Sequence, residues 1–398
     1  MDVVVSLDFL PSVGGAHLWL CEVYRRWPKQ VAVFTRRPPA DAEAAERVRA
    51  FDALLSGSLR VHRDALDGQE INLLKLSYLV ETLLQARRVA ELARSDGGKP
   101  RLHALRAFPE GFIALLAKRL FLRGARLVTY AHGEEILVAA TSRQLSAMAR
   151  WVYKGSDAIV ANSSNTEDLV RRVYPTARII RVHPGVDESF FVGDQTVARE
   201  RIRSRYSWPR DAFVLLSVAR MEPRKNQSMV IRAVASLRDK GHDIRYLCAG
   251  NGETRSALEL LVRELGVQGS VVFPGQISDA EKREFFRGAD AHVMVSIQHG
   301  AMIEGFGIVF IEAAAAGLPS IAGNSGGQAE AVLDGRTGIV VDGTSLGEVT
   351  AAILRLATDE KLRDRFRIAA KGWAAEHEWA HVVQRTIAAL NGVGIAIS

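Results

Sequence analysis

Short apolar runs rich in β-branched residues alternate along the chain with longer stretches in which apolar residues recur every three or four positions. The short runs are typical of buried strands, and the longer stretches are typical of amphipathic helices. Their alternation predicts parallel sheets covered by helices. The predicted strands are DVVVSLDF, QVAVF, LRVH, RLHAL, RLVTYAHG, DAIVANS, RIIRVHPGVD, FVLLSVA, DIRYLCAG, SVVFPG, AHVMVS, LPSIAG and TGIVV.

A polar, arginine-rich stretch, ESFFVGDQTVARERIRSRYSWPRDA, separates the first seven predicted strands from the last six. A chain of 398 residues is also longer than one core usually holds. We therefore predict two doubly wound α/β domains, residues 1–190 and 191–373. The tail from about residue 374 to residue 398 continues as a helical pattern, and the apolar face that includes Trp373 and Trp379 must pack somewhere.

Composition narrows the class of protein. A hydrophobic content of 48% is typical of a globular chain, and the absence of about 18 consecutive apolar residues argues against a membrane span. The start, MDVVVSLDFLPSVGG, has no basic region and breaks early at Pro11, so we read it as a strand and not as a signal peptide. Cys21 and Cys248 form no disulfide framework in a chain this long. We expect a cytoplasmic protein with two inert core thiols.

The net charge of +7 is unevenly placed along the chain. Residues 1–190 hold 27 Lys and Arg against 21 Asp and Glu, whereas residues 191–398 hold 25 against 24. A basic first half indicates an anionic partner, such as the inner face of a membrane or a phosphorylated acceptor. The alternative is a proteome that simply favours arginine on helix surfaces. No basic strand with interleaved aromatic residues and no finger spacing accompanies the charge, so we expect no nucleic acid partner.

The stretch HEWAH, residues 377–381, raises the alternative of a zinc hydrolase. On a helix His377 and His381 would share one face with a glutamate between them, as in zinc proteases. A catalytic zinc needs a third protein ligand, and the sequence after His381 contains no His, Asp, Glu or Cys. We therefore expect no metal site and assign HEWAH to the framework.

Ligands of doubly wound sheets bind outside the carboxyl ends of the strands, so the residues after each strand are informative. Gly14 and Gly15 follow the first strand at a helix start, where bare backbone amides suit an anion, although tight-turn glycines are the alternative. Arg220 and Lys225 follow FVLLSVA and could clamp a diphosphate, although such residues are more often surface charges. The NGE turn after LCAG would let a flat ligand approach the backbone.

The segment IQHGAMIEGFGIVFIEAAAAGLP follows AHVMVS and is the most informative of these loops. Gly305 and Gly307 precede a helix that starts near Ile308, and a helix N-terminus offers unpaired N–H groups to a phosphate. Glu304 precedes the turn and Glu312 lies further along the helix. Because a carboxylate accepts hydrogen bonds from vicinal hydroxyl groups, one glutamate could hold a ribose and the other a sugar.

With these motifs the sequence resembles the large retaining glycosyltransferase family that has the GT-B fold and the E-x7-E signature, in particular the bacterial mannosyltransferase-like group 1 glycosyltransferases. The resemblance covers nearly the whole chain, because nine blocks follow in the family's order. They are PSVGGAH, TYAHGEE, ANSSNTEDL, VHPGVD, SVARMEPRKN, LCAGNGE, VVFPGQIS, EGFGIVFIEAAAAGLPSIAGNSGGQAEAV and DGRTGIVVD.

The resemblance implies two Rossmann-like domains that face a cleft, the first binding the acceptor and the second the nucleotide sugar. It also implies a C-terminal helix that crosses back to the first domain, which gives Trp373 and Trp379 a place to pack. It implies that Gly14 and Gly15 approach the donor phosphate, that Arg220 and Lys225 hold the diphosphate, and that Glu312 binds the ribose. The transferred sugar and phosphate would be met by Glu304, Gly305, Phe306, Gly307 and Ile308, largely through backbone.

His132 matches the family's histidine beside the reacting sugar. His132 and Glu304 are therefore the candidate catalytic residues, and the alternative for His132 is a buried core histidine. The resemblance favours mannose transfer from GDP-mannose to a lipid or glycan acceptor, and UDP-glucose transfer to a small acceptor is the alternative. The sequence has no Asp-x-Asp, so we expect metal-independent transfer without a cofactor. From another class, a non-catalytic lipid- or nucleic-acid-binding protein on a degenerate transferase scaffold remains an alternative.

Overall fold

The computed structural model describes residues 1–10, 14–37, 41–64, 71–94 and 99–395. Contacts divide the chain into two compact units: Met1–Pro184 with Trp379–Ser398, and Gly185–Glu378. The predicted boundaries, residues 190 and 373, differ by a few residues. The reason is a backbone pairing within the second unit, where Val186 bridges to Glu378 and its N–H donates to the carbonyl of His377 at 2.9 Å.

The first unit contains a parallel sheet of seven strands, and each strand overlaps one of the predicted apolar runs. The strand order is β3-β2-β1-β4-β5-β6-β7. The strands are β1 (Asp2–Val5), β2 (Val31–Arg36), β3 (Leu59–Asp64), β4 (Arg101–Ala104), β5 (Arg126–Ala131), β6 (Ala158–Ala161) and β7 (Ile179–Arg181).

Helices connect the strands of the first unit. The short fourth helix is preceded by the turn Ala107–Gly111, in which Phe108 is extended, and is followed by a π-helical turn at Ala117–Phe121. The helices are α1 (Gly15–Tyr24), α2 (Ala42–Leu55), α3 (Leu76–Ala93), α4 (Phe112–Leu116), α5 (Glu134–Ala140), α6 (Arg143–Gly155) and α7 (Ser164–Val173).

The second unit contains a parallel sheet of six strands in the order β10-β9-β8-β11-β12-β13. Its strands are β8 (Phe213–Val218), β9 (Ile244–Ala249), β10 (Val271–Gly275), β11 (Ala291–Met294), β12 (Ser320–Gly323) and β13 (Gly338–Val341). Its helices are α8 (Gln195–Arg205), α9 (Gln227–Asp239), α10 (Arg255–Glu264), α11 (Asp279–Gly288), α12 (Ile308–Ala315), α13 (Gln328–Ala331), α14 (Leu346–Thr358) and α15 (Glu360–Ala375). A last helix, α16 (Trp379–Gly392), belongs to the first unit.

Both sheets have the doubly wound strand order, which reverses direction between β1 and β4 in the first unit and between β8 and β11 in the second. Alternate residues of β1 face opposite sides, as a strand requires. Val3 and Val5 lie in the core beneath α3, α4 and α6, whereas Val4 lies in the opposite core with Trp19 and Trp379. The two switch points are where ligands of such sheets bind.

The returning helix begins at Trp379, later than predicted. Trp379 is buried in the first unit, but Trp373 lies at the end of α15 and its indole donates to the carbonyl of Ala331 at 3.2 Å, within the second unit. The prediction that both tryptophans pack on the first domain is therefore wrong for Trp373. Among the described residues, no helix has both the length and the apolar character needed to cross a membrane.

Candidate active site

The loops that follow β8 and β11 bring a cluster of charged side chains to the switch point of the second sheet. Arg224 donates from Nη1 to Oε2 of Glu304 at 3.1 Å, and Lys225 donates from Nζ to the same oxygen. The three side chains are about nine-tenths buried, Lys225 being 10% exposed and Glu304 12%. A carboxylate predicted to meet a sugar is thus held by two adjacent cations.

The cations keep Glu304 ionised. Burial raises the pKa of this carboxyl group, but Lys225 and Arg224 lower it by more, so the pKa of Glu304 lies below its ordinary value. Burial also lowers the pKa of Lys225, against the opposing effect of Glu304. An ionised carboxylate can only accept hydrogen bonds, so Glu304 is suited to bind hydroxyl groups and not to donate a proton.

Glu222 links Arg220, the third cation of the loop after β8, to this cluster. Its carboxylate accepts from Arg224 Nε at 3.1 Å and from Arg220 Nη1 at 2.7 Å. The side chain of Arg220 is 64% exposed. The structure therefore places Arg220 and Lys225 in different surroundings, one exposed beside Glu222 and one buried against Glu304, and their assignment to a diphosphate stays a prediction.

Backbone and amide hydrogen bonds fix the loop after β8. Pro223–Lys225 forms a turn of 3-10 helix, and Asn226 follows in the left-handed region with φ of 56°. The Asn226 amide donates to the carbonyl of Val295 at 3.2 Å and to that of Gly343 at 2.8 Å, and the N–H of Ile297 donates to the carbonyl of Arg224 at 2.9 Å. Arg224 and Lys225 are consequently presented from a rigid turn.

The backbone of Glu304 is held by the loop after β12. The N–H of Gly327 donates to the carbonyl of Glu304 at 2.9 Å. Gly326 has φ of 71°, and a Cβ atom there would lie 2.3 Å from the same carbonyl oxygen. The buried amide of Gln328 connects this loop to the segment after β11, because it accepts from the N–H of Ser296 at 3.1 Å and donates to the carbonyl of Ser296 at 2.9 Å.

The segment from Gly305 to Ile308 begins α12 as predicted. Gly307 is the N-cap in a left-handed conformation with φ of 90°, and a Cβ atom there would lie 2.7 Å from the ring of Phe310. Ile308 is the first helical residue, and its N–H is one of those left unpaired by helix geometry. The side chain of Phe306 is buried in the core, so only its backbone can serve a ligand.

Glu312 lies on α12 and pairs with a residue that the motifs did not indicate. Its Oε1 accepts from Nζ of Lys282, on α11, at 2.5 Å, and both side chains are largely buried. The Lys282 ammonium also lies 5.4 Å from the ring centroid of Phe190. No sequence spacing connects Lys282 with Glu312. The predicted contact of Glu312 with a ribose stays a prediction, and Lys282 joins it as a candidate.

Gly250 and Gly252, at the NGE turn, allow a close backbone contact within the second unit. A Cβ atom on Gly250 would lie 1.9 Å from the carbonyl oxygen of Ala219, and one on Gly252 would lie 2.3 Å from that of Met221. Both have positive φ, of 130° and 158°. The two glycines therefore allow the backbone of the loop after β8 to lie close to this turn, and the approach of a flat ligand stays a prediction.

In the first unit, His132 follows β5, the strand that pairs with β4 next to the switch point. Its Nε2 donates to the carbonyl of Leu105 at 2.8 Å, its N–H donates to Glu135 Oε1 at 2.8 Å, and its ring packs edge-on against Trp19 with centroids 5.5 Å apart. Burial, and then the positive charge of Arg106, lower the pKa of His132 to about 3. The imidazole is therefore neutral near pH 7, and its Nδ1 keeps a lone pair.

Gly14 and Gly15 stand at the start of α1. Gly14 is extended, with φ of 174°, and a Cβ atom there would lie 2.8 Å from Nδ1 of His17. Gly15 is the first helical residue and is exposed. The bare backbone at Gly14 therefore makes room for His17, and the proposed contact with a phosphate stays a prediction.

Three charged or titratable residues near His132 were missed. Arg106 follows β4, with Nη2 3.5 Å from His17 Nε2 and Nε 3.6 Å from Glu110 Oε1. Burial, opposed by Arg106, raises the pKa of Glu110 to about 7, whereas burial and Arg106 lower that of His17 to about 4. Arg106 could have been found because it follows a strand, but Glu110 and His17 lie within helical turns.

The metal alternative finds no support in the fold of HEWAH. The stretch is not one helix, because α15 ends at Ala375 and α16 begins at Trp379. His377 is buried, with its ring 4.3 Å from that of Trp373 and its Nδ1 2.9 Å from the Trp373 carbonyl oxygen. In the part of the chain that the structure describes, no three His, Cys, Asp or Glu side chains are grouped as metal ligands.

Solved structures share this fold at low sequence identity. HepE of Anabaena, in complex with UDP and glucose, matches with a TM-score of 0.77 at 18% identity, over 98% of this chain and all 100% of that one. Sucrose-phosphate synthase from Thermosynechococcus elongatus matches with a TM-score of 0.77 at 20% identity, over 99% and 98% of the two chains. The chain therefore has the GT-B fold, as predicted.

Sequence comparisons identify the family. The model for glycosyl transferases group 1 matches residues 198–373, and the model for glycosyltransferase family 4 matches residues 13–190. A GDP-mannose-dependent alpha-(1-6)-phosphatidylinositol monomannoside mannosyltransferase of Mycolicibacterium smegmatis is 34% identical over 277 residues, 69% of this chain and 71% of that protein. A D-inositol 3-phosphate glycosyltransferase of Thermomonospora curvata is 28% identical over 96% of this chain and 91% of that protein. The chain is a glycosyltransferase and belongs to the bacterial group 1 glycosyltransferases.

Proposed function

We propose that this enzyme transfers a hexose with retention of anomeric configuration, mannose from GDP-mannose being favoured, to a lipid or glycan acceptor. The observation that carries the proposal is the ionised Glu304, held by Arg224 and Lys225 next to the N-terminus of α12. This arrangement offers a hydrogen-bond acceptor for sugar hydroxyl groups beside cations and backbone N–H groups for phosphates. The Mycolicibacterium smegmatis relative, named for GDP-mannose and a phosphatidylinositol mannoside, supports the choice of donor and acceptor.

The proposed chemistry assigns the leaving group to the second unit. Arg220 and Lys225 would stabilise the charge that grows on the departing diphosphate, and the N–H groups at Gly307 and Ile308 would add to it. We expect no metal in this role. The donor phosphate would take the acceptor's proton, which suits a Glu304 that is already ionised. In the first unit, the neutral His132 would accept a hydrogen bond at Nδ1 from the reacting sugar.

A second candidate is transfer to a small phosphorylated acceptor with a UDP-sugar as donor. It is favoured by the relative named as a D-inositol 3-phosphate glycosyltransferase, whose similarity spans nearly the whole of both chains. The two candidates share the donor cluster around Glu304 and differ in the base of the donor and in the acceptor.

The test is transfer from radiolabelled GDP-mannose and UDP-glucose to three acceptors: a phosphatidylinositol mannoside, an oligomannoside and inositol 3-phosphate. We expect GDP-mannose to give product with the lipid or the glycan, and NMR of the product to show the α-anomer of the donor retained. Product from UDP-glucose and inositol phosphate alone would favour the second candidate. Failure to hydrolyse or transfer either donor would indicate a degenerate, non-catalytic scaffold.

A further inference from the structure

Helix α3 exposes apolar side chains and buries polar ones over its first three turns. Leu76 is 75% exposed and Leu84 is 49% exposed, whereas Thr82 and Gln85 are buried. We call the exposed set, together with the residue before the helix, the α3 ridge. It consists of Leu74, Leu76, Leu79, Val80, Leu83 and Leu84.

The orientation of α3 is fixed by its buried face. Tyr78, Ala86 and Val89 pack in the core of the first unit, and Thr82 is satisfied there because its hydroxyl donates to the carbonyl of Tyr78 at 2.7 Å. The ridge residues recur at intervals of three and four, so they form one continuous stripe on the opposite side. A contiguous exposed apolar stripe on a soluble protein marks an interaction surface.

Two neighbouring elements extend this apolar surface. Helix α3 packs along the segment 112–121, where Leu120 is exposed, and α4 in turn packs against α6. On α6 the indole of Trp151 is 62% exposed and lies stacked on Phe112, with centroids 6.4 Å apart and planes 14° apart. All three elements cover the same side of the first sheet, so their exposed residues belong to one face.

The three elements that form this face are rich in cations. Residues 71–94, 112–123 and 143–155 together hold ten Lys and Arg and two Glu, whereas the rest of the chain holds 42 Lys and Arg against 43 Asp and Glu. The exposed cations include Lys75, Arg119 and Arg150. These three segments are therefore strongly basic, although Arg88 pairs with Asp64 and Lys118 with Asp157, outside the segments.

We propose that the α3 ridge, with Leu120 and Trp151, docks the enzyme on an anionic lipid bilayer. Apolar side chains enter the acyl boundary, an exposed tryptophan is suited to the headgroup level, and each Lys or Arg near an anionic surface adds electrostatic attraction. A second copy of this chain fits less well, because a two-fold interface would place one strongly basic face against itself. The inference goes beyond the proposed function, since docking does not depend on which donor or acceptor the site takes.

The test is flotation with vesicles of phosphatidylcholine alone and of phosphatidylcholine with phosphatidylglycerol, without any sugar donor. We expect binding to the anionic vesicles that weakens as salt is added. The triple variant Leu79→Gln, Val80→Gln, Leu83→Gln should bind about 100-fold more weakly, because three apolar side chains no longer gain from burial. The matched control substitutes three exposed apolar residues of the second unit, Leu260→Gln, Leu346→Gln and Ile368→Gln, and should bind like the wild type.

The charge contribution is tested by Lys75→Glu with Arg119→Glu, which should weaken binding to anionic vesicles and leave any binding to neutral vesicles unchanged. Donor hydrolysis in solution by the ridge variant should equal that of the wild type, so failure to dock is distinguishable from failure of the proposed function. Equal vesicle binding by the ridge variant and the wild type overturns the proposal. So does a wild-type dimer, seen by light scattering, that ignores vesicles and becomes a monomer in the ridge variant.

Discussion

The guanidinium of Arg224 lies 3.1 Å from Oε2 of Glu304, and this contact joins the loops that follow two neighbouring strands, β8 and β11. Arg224 is buried and contacts the carboxylates of both Glu222 and Glu304. We therefore propose that it orients Glu304, whereas contact of Lys225 and Arg220 with the donor stays a prediction. Arg224 is therefore a positioning residue in the proposed site.

Replacing Lys225 with Ala should lower kcat/KM for the donor by about 100- to 1000-fold, with most of the loss in kcat. The reason is that a preorganised cation stabilises the departing diphosphate more than the bound substrate. Steady-state kinetics at saturating acceptor measure this, and Lys240→Ala, at an exposed lysine of the same unit, is the control. A double variant Arg220→Ala, Lys225→Ala with near wild-type kcat would mean that these cations do not meet the donor.

The pair of Lys282 and Glu312 should behave as one unit in donor binding. If Glu312 holds the ribose in both the ground and transition states, Glu312→Ala should raise the donor KM and leave kcat unchanged. Lys282→Ala should have a smaller effect in the same direction, because it removes the partner that orients the carboxylate. A double-mutant cycle on donor KM should give a coupling of about 0.5–3 kcal/mol. Additive effects would separate the two residues, and a loss confined to kcat would exclude ribose binding by Glu312.

The strands were predictable because buried parallel strands require continuous apolar runs, and each of the thirteen predicted runs overlaps a strand of the described chain. The start of the last helix was not predictable from the sequence. Residues 376–378 interrupt the helical pattern without a Pro or Gly, because Glu378 pairs with Val186, which is distant in the sequence. Tertiary pairing of this kind leaves no local signal.

The candidate site was predictable only where a local sequence pattern places its residues. Glu304, Gly307 and Ile308 could be placed because a strand end followed by a helix start is a local pattern. The contact of Lys282 with Glu312 could not, because it depends on how α11 packs beside α12. The ridge of α3 shows a further limit, since its periodicity indicates an amphipathic helix but not which face meets the core.

Acid should destabilise the first unit through His132. Its pKa is lowered to about 3 in the fold, against 6.5 for an ordinary histidine. Between these values the unfolded chain binds a proton that the folded chain does not, so the free energy of unfolding falls as pH is lowered through 6.5 toward 3. His132→Gln removes this contribution, so the wild type should lose stability relative to the variant between pH 7 and pH 4.

Urea unfolding at several pH values measures that difference, and the exposed His299 supplies a control as His299→Gln. The control should follow the wild type at each pH. A constant difference between wild type and His132→Gln across the range would mean that His132 titrates alike in the folded and unfolded chains.

Turnover should survive exhaustive chelation. The sequence lacks Asp-x-Asp. In the proposed mechanism, Arg220, Lys225 and the start of α12 would offer positive charge or N–H groups to the diphosphate. Activity is measured after dialysis against EDTA, with and without added Mg²⁺, Mn²⁺ or Zn²⁺. Turnover that is lost in EDTA and restored by one of these ions would contradict the metal-independent mechanism.

Gly326 and Gly335 allow the backbone support of Glu304 to be tested with a matched pair. Both have left-handed backbones of nearly equal φ, 71° and 68°. A Cβ atom on Gly335 meets nothing within 4 Å, whereas one on Gly326 would lie 2.3 Å from the carbonyl oxygen of Glu304. Gly335→Ala should therefore lower the free energy of unfolding by only about 1 kcal/mol, because a left-handed backbone is strained with a Cβ atom. It should leave donor kinetics unchanged.

Gly326→Ala carries the same strain and must also push the Glu304 carbonyl away. The N–H of Gly327 donates to that carbonyl, so the displacement would move Glu304 relative to Lys225. We expect a loss of stability larger than that of Gly335→Ala by about 1–3 kcal/mol, and a fall of kcat/KM for the donor of about tenfold or more. Urea unfolding and donor kinetics of the two variants give both numbers. Equal losses of stability with unchanged kinetics in Gly326→Ala would show that the loop after β12 does not position Glu304.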